Sequence, residues 1–531
     1  MSVRSFAVEE VHRYRGVHFR DRAALPLVSA SLVDQAQRRG DQPFLTAEAP
    51  DGQSCTVSYH ELDQASARIA GWLQQKLGLR AGDVVGFVAT NDANSVLTLF
   101  ALLRAGIRAL MLSPSDPPAR LNEQLGVLGA RTVLVTRPDP AHRLENAVCV
   151  PDAQRLPPTT SAVDHASRAA DVALYFGTSG STAASKLVAQ AHYNMAANAR
   201  AMQLHHRLVP GDRLLACLPL HHVNCLHLTI VGAFASGAHV YLAPRFDLFQ
   251  YARILRAFEP KIASVVPSIL EALSSTWRSE PLPESFRYFI SAASPLSAQT
   301  AAVVRQKLGA RIVQGYGLTE TTNFSTTLPT DLSAAQLALI ERAAQPSIGV
   351  AVDGNEVAVL DSDGVPLPPG EVGEVCVRGH NVMLGYAENP EATAEAFRGG
   401  WFHTQDLGFY RQHEGQDYFF ITGRSKNIAK VGGESVSLEE LERVLRSVPG
   451  MLDAACLSMP HRLHGDLIWA ALVWPAEAPE PDYAPVLRGH FSAAARPRRF
   501  IRVDAVPRSP TGKILRPKLA ELLTTKVAEA R

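Results

Sequence analysis

Apolar residues recur along the first two-thirds of the chain in two alternating rhythms. In Tyr59–Leu77 (YHELDQASARIAGWLQQKL) they fall at helical spacing, and the next segment, Val84–Thr90 (VVGFVAT), is a short strand-like apolar run. Ser95–Gly106 (SVLTLFALLRAG) then predicts a helix stopped by glycine, with ALMLSP following as a strand. Strand-like runs return at LLACLPL, AHVYLAP, IASVVP and RIVQGYG. This alternation predicts an α/β fold in which helices cover the faces of parallel sheets. After about residue 345 the runs shorten and are punctuated by DSDG and PLPPGE, which predicts an antiparallel, β-rich subdomain over about 345–424. From about 428 a small α+β unit follows, with a helix in SLEELERVLRSVPG and strands in ACLSMP and IWAALVWP. The boundary between the two parts is placed within GRSKN, Gly423–Asn427, and WPAEAPEPDYAP (Trp474–Pro485) is read as a surface loop.

Composition narrows the picture. A chain of 531 residues exceeds one ordinary core, so two or more domains are expected. Hydrophobic residues make up 46% and charged residues 19%, the balance of a globular protein rather than a disordered one. The 52 basic and 51 acidic side chains leave a net charge of +1, which offers no support for a nucleic-acid or anionic-membrane partner. An anionic substrate must therefore have its charge met locally. The six cysteines are scattered without a CxxC pair, the N-terminus has no apolar signal core, and Leu226–Pro244 is too short and too polar to span a bilayer. A cytoplasmic location without membrane attachment is expected.

Four segments carry candidate chemistry. FGTSGSTAASK, Phe176–Lys186, follows a strand-like VALYF and combines glycines, small hydroxyls and a lysine. Glycine allows tight folding around an anion, while hydroxyls and free N–H groups bind phosphate oxygens. It lacks the GK[ST] ending of a Walker loop and the second glycine of a GxSxG elbow, and read alone it is equally a surface loop. QGYGLTETT, Gln314–Thr322, puts a glycine-flanked Tyr316 at the end of a strand, where open α/β sheets bind ligands. Its Thr319 and Glu320 can meet phosphate and a magnesium ion, which prefers oxygen ligands. In WFHTQDLGFY…YFFITGRSKNIAK, Asp406 reads as an exposed carboxylate suited to a ribose diol, with Arg424 able to reach the same sugar or a phosphate. In PRSPTGKILRPKL, Pro510, Thr511 and Gly512 make a turn that presents Lys513 as a movable cation for developing negative charge.

Taken together and in this order, the four segments resemble the adenylate-forming superfamily of acyl- and aryl-CoA synthetases, nonribosomal-peptide adenylation domains and luciferase. The resemblance extends from about residue 30 to residue 520. It implies a large AMP-binding domain over 1–424, with two βα-type sheet subdomains and the β-rich one, a hinge at 425–427, and a small mobile domain over 428–531. By similarity Thr178, Ser179, Gly180, Ser181, Thr182 and Lys186 hold the β- and γ-phosphates of ATP. Tyr316, between Gly315 and Gly317, stacks on adenine, and Ala292, Ala293 and Ser294 line the base pocket. Thr319 touches the α-phosphate, Glu320 binds Mg²⁺, Asp406 and Arg424 hold the ribose, and Lys513 sits between the substrate carboxylate and the α-phosphate. Lys426 occupies the hinge position, and Gly432 and Gly433 leave room for a pantetheine arm. The expected reaction is activation of a carboxylic acid to an acyl-adenylate, then thioester formation on CoA or on a carrier protein's phosphopantetheine.

His222, Val223 and Asn224, in LPLHHVNC, match the motif bordering the acyl pocket. They bring no acid to pair with an α-ammonium, so a plain fatty, aryl or hydroxy acid with a polar feature is favoured over an amino acid. Cys217, His221, His222, Cys225 and His227 lie close together, but their spacing matches no closed zinc pattern. The phosphate loop departs from TSGTTGxPKG at Ala183, Ser185 and Leu187, which bears on how tightly ATP is held. A non-catalytic nucleotide- or acyl-binding protein is the rival reading.

Overall fold

The computed structural model describes residues 9–21, 25–48, 54–137, 144, 146–158, 166–178, 186–277, 281–294, 296–333, 336, 346–431, 434–461, 465–493, 495–509 and 512–529. Local signals account for many of its elements. The helix Tyr59–Leu77 begins at Ser58, whose hydroxyl accepts the Glu61 N–H while the Glu61 carboxylate accepts the Ser58 N–H, and it ends on Gly78 in the left-handed conformation. The helix Ala93–Ala105 is capped by Asp92 and stopped by Gly106 in the same way. It is apolar almost all round and is buried along most of its length, because it packs between two sheets.

The first sheet has seven strands. Val172–Gly177, Arg108–Leu112, Val84–Val88, Val133–Val135 and Ala147–Cys149 run parallel, and Leu187–Ala191 and Gly385–Tyr386 add an antiparallel edge. The second sheet has nine strands around a parallel centre formed by His239–Leu242, Arg213–Ala216, Ile262–Val265, Tyr288–Ser291 and Arg311–Gly317. One continuous apolar core fills the space between these two sheets. The α/β class with parallel sheets expected from the alternating rhythm is the observed one. Asn91 links the two layers. Its amide donates to the carbonyls of Leu218 and Ala243 at 3.0 Å and its oxygen accepts the Leu220 N–H at 2.8 Å, all in the interior.

The turn-rich stretch forms a four-stranded antiparallel sheet of Asn355–Leu360, Gly373–Gly379, Phe402–His413 and Gln416–Arg424. Past Ser425–Asn427, the strands Ile428–Val431, Glu434–Ser437, Asp453–His461, Gly465–Val473 and Arg499–Arg502 form a five-stranded sheet. Apolar clusters of its own, built from residues 429–523, cover the two faces of this sheet. The helix Leu438–Arg446 packs on one face and Arg516–Glu529 on the other. Residues 474–483 contain no regular element and are mostly exposed. Among the described residues no helix is long and apolar enough to cross a membrane.

Candidate functional site

The parallel strand Arg311–Gly317 delivers Tyr316 to the carboxyl edge of the nine-stranded sheet, and the chain turns at once through Thr319–Thr321. A methyl group on Gly317 would overlap the Asn323 carbonyl, and one on Gly315 would press on the Phe324 ring at 2.9 Å. Both glycines are therefore required by close packing beneath the turn. The turn is held firmly. The Met383 N–H donates to the Glu320 carbonyl at 2.8 Å, and Thr322, at φ +65°, donates its hydroxyl to the Asn381 carbonyl at 2.7 Å. The Tyr386 hydroxyl donates to Glu320 Oε1 at 3.0 Å, and the Lys186 ammonium lies over the Tyr386 ring, 4.9 Å from its centre. One aromatic ring thus joins the lysine that ends the Gly/Ser/Thr loop to the carboxylate of the turn.

Of that loop, Thr178 and Lys186 are described, whereas Ser179, Gly180, Ser181 and Thr182 lie outside the described residues, as does the substituted Ala183–Ser185. The Thr178 N–H donates to the Lys186 carbonyl at 2.9 Å, closing the loop's mouth, and the Arg120 guanidinium donates to the Thr178 carbonyl at 3.2 Å.

Asp406 corrects the sequence reading. It is not an exposed carboxylate but is 3% accessible. Asp406 and Arg424 face each other across adjacent strands, with Arg424 Nε 2.6 Å from Asp406 Oδ1, while the Tyr316 hydroxyl donates to Oδ2 at 2.7 Å. The Asp406 charge raises the Arg424 guanidinium above its usual value, and burial together with the same carboxylate pushes the Tyr316 phenol well up. The aromatic and ionic candidates from two distant segments therefore form a single unit.

Lys513 reaches this unit from the far end of the chain. Gly512, at φ +81°, places its turn so that an added methyl would stand 3.4 Å from the Ser294 hydroxyl and 3.8 Å from that of Ser268. The lysine stays open to solvent within the cleft, hemmed in by protein. Removal from bulk water and the Arg424 charge pull its ammonium below the ordinary value, against the opposing pull of Asp406 and Glu320. Lys426, in the turn Ser425–Asn427, is lowered by partial burial and by Arg424. Near Lys513, His222 is brought down to about 4 by burial and by the lysine charge, and His221 to about 3 by burial and by its neighbour His222, so both rings are neutral near pH 7. Asn224 opens a wide helical segment, Asn224–Val231, and accepts the Ser264 hydroxyl at 2.8 Å, with Val223 half-buried before it. Such widened turns are frequent at functional sites. Ala292 is buried, Ser294 half-buried, and Ala293 is exposed at φ +73°. Gly432 and Gly433 lie outside the described residues.

Cys217, His221, His222, Cys225 and His227 form no metal-binding group. Among the described residues the group close enough to hold an ion is Glu374, Cys376 and His403, in the antiparallel sheet. There the Arg398 guanidinium already donates to the Glu374 carboxylate at 2.9 Å.

Arg120, Tyr386 and Gln190 escaped sequence reading, and His227 was read only as a member of the cysteine and histidine cluster. Gln190 and His227 carried a signal in principle, since each is a polar residue inside an apolar run that folds into the interior.

Comparison with known proteins places this geometry. A family model described as AMP-binding enzyme matches residues 32–387. The sulfoacetate–CoA ligase of Cupriavidus necator is 30% identical over 514 residues, covering 93% of this chain and 97% of that protein. The crystal structure of ATP-bound MatB from Rhodopseudomonas palustris aligns with a TM-score of 0.83 at 26% identity, covering 94% of this chain and 99% of that one. The o-succinylbenzoate CoA synthetase of Bacillus subtilis, in complex with its acyl-adenylate intermediate, aligns with a TM-score of 0.81 at 26% identity over 92% of this chain and 97% of that one.

Proposed function

The chain belongs to the AMP-binding enzyme family, and we propose that the cleft joining Glu320, Asp406, Arg424, His222 and Lys513 is where it acts as an AMP-forming acid–thiol ligase. In the first step a carboxylate oxygen of the acid attacks the α-phosphorus of ATP. The bond to the β-phosphate bridging oxygen breaks, and pyrophosphate leaves. In the second, a thiol sulfur attacks the acyl carbon, the thiol proton is lost, and AMP departs.

An anionic nucleophile approaching an anionic phosphate is repelled, and charge then accumulates on the leaving group. Fixed cations and positioned donors offset both costs. Lys513, within electrostatic reach of both His222 and Asp406, would stand where the acid's carboxylate meets the α-phosphate. Lys186, with the loop of Ser179, Gly180, Ser181 and Thr182, would take the terminal phosphates. Tyr316 would stack on the base against Ala292–Ser294. Arg424 and Asp406 would hold the ribose through the lone pairs and N–H groups that their mutual bond leaves available. Thr319 Oγ makes no hydrogen bond among the described residues, leaving it available to the α-phosphate.

Glu320 fits a magnesium ion: Oε1 is held by Tyr386, while Oε2 has no hydrogen bond among the described residues. Magnesium would share oxygens with the phosphates and neutralise their charge.

The acid is proposed to be a small or medium one with a polar substituent and no α-ammonium. His222 is neutral, Asn224 carries an amide, and the LPLHHVNC segment contributes no carboxylate. The thiol is proposed to be that of CoA, as the names of the sulfoacetate and o-succinylbenzoate relatives state for those proteins. The observation that carries the assignment is the docking of the Lys513 turn against Ser294 and Ser268. An ATP–pyrophosphate exchange screen over a panel of carboxylic acids, followed by thiolation with CoA and with phosphopantetheinylated carrier proteins, tests it. Exchange with a polar acid and transfer to CoA are expected. ATP binding without exchange on any acid would favour a non-catalytic binding protein, and transfer to a carrier alone would move the acceptor.

A further inference from the structure

Beneath the Thr319–Thr321 turn runs a chain of hydrogen bonds between fully buried side chains. His227 Nε2 is 2.8 Å from Gln190 Oε1, and Gln190 Nε2 donates to the Thr319 carbonyl at 2.8 Å. Gln190 and His227 are both inaccessible to solvent. The chain has one direction. A carbonyl can only accept, so the Gln190 NH₂ group faces Thr319 and its oxygen faces His227, which must then carry its proton on Nε2. Burial lowers the His227 ring to about 3, so the ring is neutral and Nδ1 is bare, with no hydrogen-bond partner among the described residues. The Thr319 carbonyl also accepts the Thr322 N–H at 3.2 Å, which uses both of its lone pairs.

We infer that Gln190 and His227 are positioning residues for adenylation, orienting the Thr319–Glu320 peptide from below. The inference rests on the roles proposed for Thr319 and Glu320. Gln190 is on the strand Leu187–Ala191, directly after the phosphate-loop lysine, and His227 is on the wide turn Asn224–Val231 that borders the acid pocket. One buried amide therefore joins three segments that must be in register when the carboxylate meets the α-phosphate. Fixing the Thr319 carbonyl fixes the plane of the peptide that Glu320 follows, and with it the directions of the Thr319 hydroxyl and the Glu320 carboxylate. Supporting groups behind directly contacting residues commonly change activity by about 10–100-fold when removed.

The test uses the full chain and two variants. Gln190→Met keeps the shape of the side chain but removes the donor to Thr319. The double variant Gln190→Met/His227→Leu replaces the chain with apolar groups, which removes the stranded His227 N–H and recovers stability. Both half-reactions are measured with an acid active on the wild type: ATP–pyrophosphate exchange, and thioester formation from supplied acyl-adenylate. Gln190→Met is expected to lower kcat for exchange about 10–100-fold while changing thioester formation less than about two-fold. The double variant is expected to recover the melting temperature but not the exchange rate. Normal exchange in Gln190→Met, equal losses in both half-reactions, or recovery of exchange in the double variant would each overturn the inference. Wild-type silence with every acid would instead overturn the adenylation reading, and the inference with it.

Discussion

Replacing Lys513 with alanine removes one of three cations that meet two carboxylates, Asp406 and Glu320, in the cleft. The lysine's positive charge suits a site that must gather a carboxylate and a polyphosphate. The size of the effect follows from where the ammonium sits. Two unit charges 4 Å apart interact by about 1 kcal/mol in water and about 4 kcal/mol at an effective dielectric near 20. Lys513 is exposed to solvent but would be enclosed by bound acid and nucleotide, so the upper figure applies to the transition state. Loss of one preorganised electrostatic group costs about 2.7–4 kcal/mol, or about 10²–10³-fold in rate. Lys513→Ala should therefore slow ATP–pyrophosphate exchange by that factor with a much smaller change in ATP affinity. Thioester formation from supplied acyl-adenylate, which expels no pyrophosphate, should be affected far less. Lys513→Arg should retain part of the exchange rate, because the charge is kept while its geometry changes. Because its surroundings pull the ammonium below the ordinary lysine value, the wild-type exchange rate should fall on the alkaline side earlier than an unperturbed lysine would require. Near-normal exchange in Lys513→Ala, with an acid that the wild type accepts, would refute the reasoning.

Asp406→Asn leaves the Tyr316 hydroxyl an acceptor but strips Arg424 of its counter-charge, and should cost about 1–3 kcal/mol in urea unfolding and weaken ATP binding in calorimetry. Gly317→Ala forces a methyl group into the Asn323 carbonyl, so the Thr319–Thr321 turn must shift; exchange activity should be lost before the fold, as circular dichroism would show. Glu374→Gln removes a carboxylate that accepts from the Arg398 side chain and from the Gln405 N–H, and should cost about 1.5–3 kcal/mol at pH 7 by denaturant unfolding. Burial pushes the Glu374 carboxyl up, but bonds from His403 and Gln405 and the charges of His403 and Arg398 bring it below its ordinary value. Its stabilisation is therefore complete above the unfolded carboxylate range and lost as pH falls through the folded value, so wild type and variant should converge in acid.

Much of the architecture was legible because its causes are local. Tyr59–Leu77 was readable from end to end, since helical spacing, the Ser58–Glu61 exchange and Gly78 all act within a few residues. The strand Arg311–Gly317 was equally plain, and the order of the four motifs along the chain carried the family resemblance. The β-rich character after residue 345 followed from turn chemistry in the same way.

What the chain's order could not convey is which charges become buried and what meets them. Asp406 looked exposed because an isolated carboxylate belongs in water; only the pairing of Phe402–His413 with Gln416–Arg424, and the approach of Tyr316 from 90 residues away, make its burial affordable. Gln190 drew no reading from the sequence and His227 was read only beside its neighbouring cysteines and histidines, because their chain to the Thr319 carbonyl exists only once two sheets have packed together. Lys513 carried its charge in the sequence, but its partners came from tertiary folding, which brings Glu320, Asp406, Arg424 and His222 around it. The sequence by itself determined the elements and the chemical groups, because backbone propensity and side-chain type are local properties. Their burial, pairing and protonation belong to the folded molecule, because electrostatics and desolvation depend on neighbours that the chain's order does not place side by side.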